Sequence, residues 1–255
     1  MYNQPIAALD DTPRALVAIG TDYADGQVLP LHSHRRAQVL YGASGMLEVG
    51  SQAGHWLVPP QQAVWLPAGM PHDVVMHGVS TRSLYLEPAA LDLGECRVLQ
   101  ISPLLRQLLL EAVELPRLYA EQGRDGLLVA LLLEELRQAP SLPLHIPLPA
   151  DAALRARCQR FIAAPDIHQA QADWADALHV SLRTFARRFE KHCAMGFAQW
   201  KQRACVVVAL ARLAVGQGIT QIALEFGYDS PAAFSAMFRR TVGRPPSHFA
   251  PARPR

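Results

Sequence analysis

The sequence predicts an α+β protein of two domains: a small β-barrel carrying a helical pair, then an all-α domain built on two helix-turn-helix units. Three observations carry this. Residues 27–87 break into runs of four to seven residues rich in Val, Leu, Trp and Tyr, separated by Gly, Pro and Ser. From residue 101 the apolar period switches to a helical one, and the last hundred residues contain one segment twice. Short strands followed by runs of helix make separate β and α layers the natural outcome.

The strand pattern covers residues 38–41, 46–49, 55–58, 63–66, 73–77 and 83–86, and even spacing of such short runs points to a barrel. Leu104, Leu105, Leu108, Leu109 and Ala112 then recur with helical spacing, and after a break at residues 123–126 so do Leu128, Leu131, Leu132 and Leu136. The apolar run 127–133 is expected to be a short buried helix segment. This helical pair has apolar surface for the barrel and for a second copy of itself. Residues 139–149 hold four prolines in eleven positions, which no helix accommodates, so the segment reads as a semi-rigid spacer. The expected division is therefore a first domain at 1–138, a linker at 139–150 and a second domain at 151–255.

Residues 180–189 and 229–238 superpose at an offset of 49, which sets Ser181 on Ser230, Phe185 on Phe234 and Phe189 on Phe238. Leu182, Phe185 and Phe189 mark one helical face, and Phe234, Met237 and Phe238 mark the other. Ser181 and Ser230 stand where a hydroxyl accepts from the first-turn N–H groups, and Pro231 suits a first helical position. Ala172, Ala175 and Leu178 form a short helical pattern before the first unit. Ile219, Ile222, Ala223 and Phe226 do the same before the second, where Gly227-Tyr228-Asp229 makes the turn.

What the first recognition helix leaves exposed is Arg183 and Arg187, one turn apart, flanked by Thr184, Arg188 and Lys191. A guanidinium forks onto guanine O6 and N7 in a major groove wide enough for a helix. A merely solvated basic face is the plain alternative, and the capped start, the apolar face and the repeat together weigh against it. The second helix has Ala232, Ala233 and Ala236 at the matching positions. Methyl groups offer thymine contact at most, so this unit is expected to grip phosphates through Arg239, Arg240, Arg244 and backbone N–H groups near Ser230.

Charge agrees with this division of labour. Residues 1–150 carry 9 Arg and no Lys against 15 acidic residues, whereas residues 151–255 carry 15 basic against 7 acidic, so a net charge of +2 conceals an acidic half and a basic half. Double-stranded DNA belongs on the basic half. The four cysteines, at 96, 158, 193 and 205, are widely spaced with no C-x-x-C pair, which reads as reduced thiols in a cytoplasm. Neither an export leader nor an apolar run long enough for a membrane span is expected.

The run from Trp174 to Phe249 resembles the AraC/XylS family of bacterial transcription regulators. The matching elements are the stretch from Ala175 to Phe189, a linker helix around Trp200 to Ala214 containing Arg203 and Ala209, Ile222-Ala223, Phe226-Gly227-Tyr228, Ser230, Phe234, Phe238-Arg239-Arg240, and the tail Gly243 to Phe249. The departures are Ala236, where many members carry a base-reading arginine, and Ala250, where arginine is common. The resemblance implies two helix-turn-helix units joined by a long helix. It also implies control of a promoter, by activation or repression, in answer to a small-molecule effector. The expected partners are promoter DNA, that effector, a second copy of the chain and RNA polymerase, with no membrane.

In the barrel, Pro30-Leu31-His32-Ser33-His34 sets two histidines on one face of a strand, Gln38 follows, and Leu66 to His72 ends a later strand pattern with a third histidine. This resembles the two motifs of the cupin superfamily, in which histidines and a carboxylate hold a divalent metal. The resemblance makes the barrel cupin-like and His32, His34 and His72 candidate metal ligands. Gln38 replaces the usual glutamate, which leaves neutral donors suited to zinc or nickel. The alternative is a metal-free organic pocket lined by the same histidines with Gln38, and with Trp65 and Tyr85 as further walls. The competing function is a metal-dependent cupin enzyme with an appended helical module. Gln38 and the lack of an acid–base pair beside the histidines stand against it.

Overall fold

The computed structural model describes residues 11–52, 54–214 and 216–250; the outer ends of the two expected domain spans, residues 1–10 and 251–255, lie outside them. The chain forms two compact units. One comprises the chain up to Gly50 together with Val58–Leu142, the other Ser51–Leu57 together with the chain from Pro143 on.

The first unit is an antiparallel, cupin-like sheet with a helical pair. Its strands are β1 (Leu16–Asp22), β2 (Gln27–His32), β3 (Ala37–Gly50), β5 (Gln62–Leu66), β6 (His72–Leu86), β7 (Arg97–Gln100) and β8 (Ser141–Leu142). They run in the order β1-β6-β3-β5-β7-β8, with β2 on β6 as well. β3 and β6 are single long strands where the sequence pattern predicts two short ones each. The glycines read as turns are irregularities within the ladder, whose register shifts at Gly42/Ser44 and Ser44/Met46. Gly45 and Gly78 have φ of 65° and 55°, and a Cβ on Gly45 would overlap the carbonyl oxygens of His77 and Gly78. Only glycine fits there.

Register then decides which face each side chain occupies. Ala37, Val39 and Tyr41 of β3 share a face with Leu16, Ala63, Trp65, Leu84, Leu86 and Leu99, and this face packs under the helices α1 (Pro103–Ala112) and α2 (Arg124–Gln138). Ser102 caps α1 by accepting from Leu105 N, and Leu105, Leu108, Leu109 and Ala112 are buried as the periodicity predicts. On α2 the buried residues are Leu128, Val129, Leu132 and Leu136. Leu127 and Leu131 are 71% and 44% exposed, and Leu104 of α1 is 49% exposed, so residues 127–133 are not a buried segment. A helix against a sheet buries one stripe only, and the leucines outside that stripe face outward.

The second unit contains all but the last residue of β4 (Gly54–Val58), paired with β9 (His145–Pro147) in the register Gly54↔Pro147, His55↔Ile146 and Trp56↔His145. Trp56 stacks on His145 at 4.4 Å. The proline-rich stretch thus supports a strand, because Pro147 occupies its last position and its carbonyl remains free to accept. That oxygen takes the Trp200 indole N–H at 2.8 Å. Six helices follow: α3 (Ala152–Ala163), α4 (Gln171–Ala177), α5 (Leu182–Cys193), α6 (Phe197–Ala214), α7 (Ile219–Glu225) and α8 (Pro231–Val242). Trp174, Phe185, Phe189, Phe197 and Trp200 form one aromatic core, with ring centroids between 4.8 and 6.5 Å apart. Phe226, Phe234, Phe238 and Phe249 form a second. Each helix-turn-helix unit is built around its own ring cluster, which is why the repeat is aromatic.

Candidate nucleic-acid interface and ligand pocket

The first turn of α5 is fixed by Ser181, whose Oγ accepts from Thr184 N at 3.2 Å. Phe185 and Phe189 are fully buried, which anchors the helix and turns Arg183, Ala186, Arg187, Glu190 and Lys191 outward. Thr184 is half-buried and its Oγ1 lies 2.9 Å from Ser181 Oγ. Two residues of α5 differ from expectation. Arg188 is ion-paired with Asp151, the N-cap of α3, so its guanidinium is engaged within the protein. Leu182 is 52% exposed rather than buried with the phenylalanines, because it lies at the first helical position, beyond the reach of the aromatic core.

The start of α8 matches. Ser230 Oγ accepts from Ala233 N at 3.1 Å, Pro231 holds the first position, and Phe234, Met237 and Phe238 are buried. Ala232, Ala233 and Ala236 are exposed, as are Arg239, Arg240 and Arg244. The contrast drawn from sequence therefore exists on the surface, with guanidinium groups on α5 and methyl groups on α8.

In the first unit, the rings of His32, His34 and His72 converge, with centroids 4.4 to 6.1 Å apart. One ligating nitrogen from each lies within 4.8 Å of the others. Each Nδ1 faces a backbone carbonyl: Pro30 O for His32, Arg36 O for His34 and Met70 O for His72. A carbonyl oxygen only accepts, so each Nδ1 carries a hydrogen, and in a neutral ring Nε2 is then the nitrogen that presents a lone pair. Nε2 of His72 is buried without a hydrogen-bond partner among the described residues. Burial pushes the His72 pKa down to about 4, against the Met70 hydrogen bond, and the neighbouring imidazoles press it the same way. Its ring is neutral near pH 7, as a ligand must be.

Gln38 lies beside them. Its Oε1 is 3.1 Å from His34 Nε2, and its amide nitrogen donates to Ser83 Oγ at 3.2 Å and Tyr85 Oη at 3.1 Å. Tyr85 also meets the His34 ring edge-on at 5.5 Å, and burial raises its phenol pKa. Ser83 was not singled out from sequence, although alternation on β6 places it on the Tyr85 face. Trp65 sits elsewhere. It pairs with Val39, one residue off Gln38, so it points to the opposite face of the sheet, and its indole N–H donates to Gly94 O at 3.0 Å. It belongs to the core beneath the helices and not to the histidine pocket.

The cysteines Cys96, Cys158, Cys193 and Cys205 are free thiols. Burial pushes the pKa of Cys193 and of Cys205 up to about 12, which removes thiolate reactivity. Among the described residues no helix is long and apolar enough to cross a membrane.

Comparison with known proteins places both units. Residues 15–139 match the model of the AraC-like ligand binding domain, and residues 174–251 match that of a helix-turn-helix domain. The HTH-type transcriptional regulator NimR of Escherichia coli K12 is 31% identical over 222 residues, covering 86% of this chain and 81% of that protein. The HTH-type transcriptional regulator RipA of Corynebacterium glutamicum is 32% identical over 103 residues, 40% of this chain and 31% of its own. Among solved structures, ToxT of Vibrio cholerae O395 is 12% identical with a TM-score of 0.39, covering 92% of this chain and 96% of that one. The chain belongs to the AraC family of transcriptional regulators: it is a DNA-binding protein with an AraC-like ligand-binding domain.

Proposed function

We propose that the protein is a homodimeric cytoplasmic regulator that reads promoter DNA chiefly through Arg183 and Arg187 of α5, holds the duplex backbone through α8, and takes a divalent metal in its histidine pocket. The observation that carries the DNA reading is the pair of exposed guanidinium groups one turn apart on a capped, ring-anchored helix. Arg239, Arg240 and Arg244 at and beyond the end of α8 serve phosphates, and the two recognition helices enter successive major grooves about 34 Å apart. RNA polymerase is the partner through which such binding acts on transcription. Selection from a randomised duplex pool tests this: Arg187→Ala should lose about 1–3 kcal/mol on the selected site and relax one base pair. Equal losses on specific and nonspecific DNA would reduce Arg187 to a phosphate contact.

The metal reading rests on the buried Nε2 of His72, which has no partner among the described residues, and on the ring nitrogens of His32 and His34 within 4.8 Å of a His72 ring nitrogen. Three imidazole nitrogens with the Gln38 carbonyl oxygen beside them make a donor set suited to zinc or nickel. The contact between His34 Nε2 and Gln38 Oε1 is compatible with a cation shared by the two atoms, and equally with a hydrogen bond once the imidazole carries a hydrogen there or the amide is rotated. Calorimetric titration of chelator-treated protein with zinc and nickel separates the two. Saturable binding that vanishes in His72→Gln supports the metal; binding of organic compounds alone would make the histidines walls of an organic effector pocket.

A further inference from the structure

We propose that Leu182 is a specificity-determining residue that reads a thymine 5-methyl group beside the bases read by Arg183 and Arg187, an inference that rests on α5 being the reading helix. Helical periodicity groups Leu182 with Phe185 and Phe189, which are 1% and 0% exposed, yet Leu182 is 52% exposed. It is the first residue of α5, directly after the capping Ser181. The N-terminal residues of a recognition helix are those that reach base edges in the major groove. Ala186, one turn further along, is exposed as well. The surface of α5 therefore carries two parallel rows at i and i+4: Arg183 with Arg187, and Leu182 with Ala186.

The two rows have different chemistry and so different targets. A half-exposed leucine forgoes part of the stabilisation that burial would give it. In the major groove the apolar group that a base edge offers is the C5-methyl of thymine, which the minor groove does not present. Leucine in the groove buries its methyl groups against that one and discriminates thymine from cytosine without a hydrogen bond. At the corresponding positions α8 has Pro231 and Ser235, so the second unit lacks this row. The leucine contact then falls beside the base pairs that Arg183 and Arg187 specify, whereas α8 offers only the single methyl groups of its alanines.

Replacement of each thymine in turn by deoxyuridine, in the tightest duplex recovered from a randomised pool, removes one methyl and nothing else. Fluorescence anisotropy with the full-length protein is expected to show a loss of about fourfold at one thymine, the size of one methyl taken out of contact. That loss should disappear in Leu182→Ala and persist in Leu182→Met, with both variants unfolding at the wild-type temperature. A penalty of unchanged size in Leu182→Ala, or no thymine whose methyl matters, overturns the proposal. If instead Arg183→Ala and Arg187→Ala select the same sequences as the wild type, the assignment of α5 as the reading helix fails, a result separate from that for Leu182.

Discussion

The carboxylate of Asp151 holds two elements at once: it caps α3 through Leu154 N at 2.9 Å and ion-pairs with Arg188 on α5. The amide of Leu154 is the main cause holding its pKa below the usual carboxylate range, with Arg188 adding to it. A carboxylate depressed in the folded state gives stability that is present above its unfolded pKa and lost as pH falls through the folded one. Denaturation of the wild type and of Asp151→Asn should therefore differ near pH 7 and converge in acid. Asparagine still caps α3 through its own Oδ1, so the difference reports the charge of Asp151.

Because Arg188 is engaged inside the protein, Arg188→Ala should behave unlike Arg187→Ala. Its chief effect is on stability, and the preferred DNA sequence should stay the same. Side-by-side thermal unfolding and sequence selection for the two variants check this. A changed base preference in Arg188→Ala would mean that the guanidinium leaves Asp151 when DNA binds.

Gln38→Glu places an anionic oxygen among the three imidazoles, and the hydroxyls of Ser83 and Tyr85, which accept from the Gln38 amide, can rotate to donate to it. Hard divalent ions gain most from such a ligand. Affinity for manganese or ferrous ion, measured by anaerobic titration, should rise on the order of tenfold relative to the wild type.

Leu127 and Leu131 project from α2 away from the core. If they pair two copies, Leu127→Glu with Leu131→Glu should turn a dimer into a monomer in sedimentation velocity without lowering the unfolding temperature, since neither side chain is buried within its own chain.

Gly45→Ala tests the kink in β3. The left-handed backbone there costs a non-glycine residue about 1–3 kcal/mol, and the overlap with the Gly78 carbonyl adds to it. A marked fall in unfolding temperature is expected, and an unchanged value would show that the bulge relaxes.

What the sequence made legible was whatever local periodicity controls. The caps Ser181 and Ser230, the phenylalanine faces and the His-Ser-His pair all follow from spacing, and each is where spacing puts it. Less legible was what depends on distant partners. Trp65 and Gln38 lie on neighbouring strands of similar character, and only their register sends one under the helices and the other to the histidines. Gly42 and Gly45 look like turn residues, yet long-range pairing with β6 carries the strand through them. α3 went unread because its buried residues, Leu154, Cys158 and Phe161, are sparse among arginines. Leu182 shares the apolar spacing of its neighbours but lies beyond the end of the core they fill.

The carbonyl of Pro147 bears on how the DNA-binding half can be cut free for study. A fragment beginning at α3 would leave the Trp200 indole N–H, fully buried, without its acceptor, at a cost of about 1–3 kcal/mol, and would uncover the apolar side of the first ring cluster. One that starts at residue 143 keeps β9 and still lacks its partner strand, since β4 comes from residues 54–58. A stand-alone version should therefore gain stability from a graft that carries Gly54–Val58 along with it.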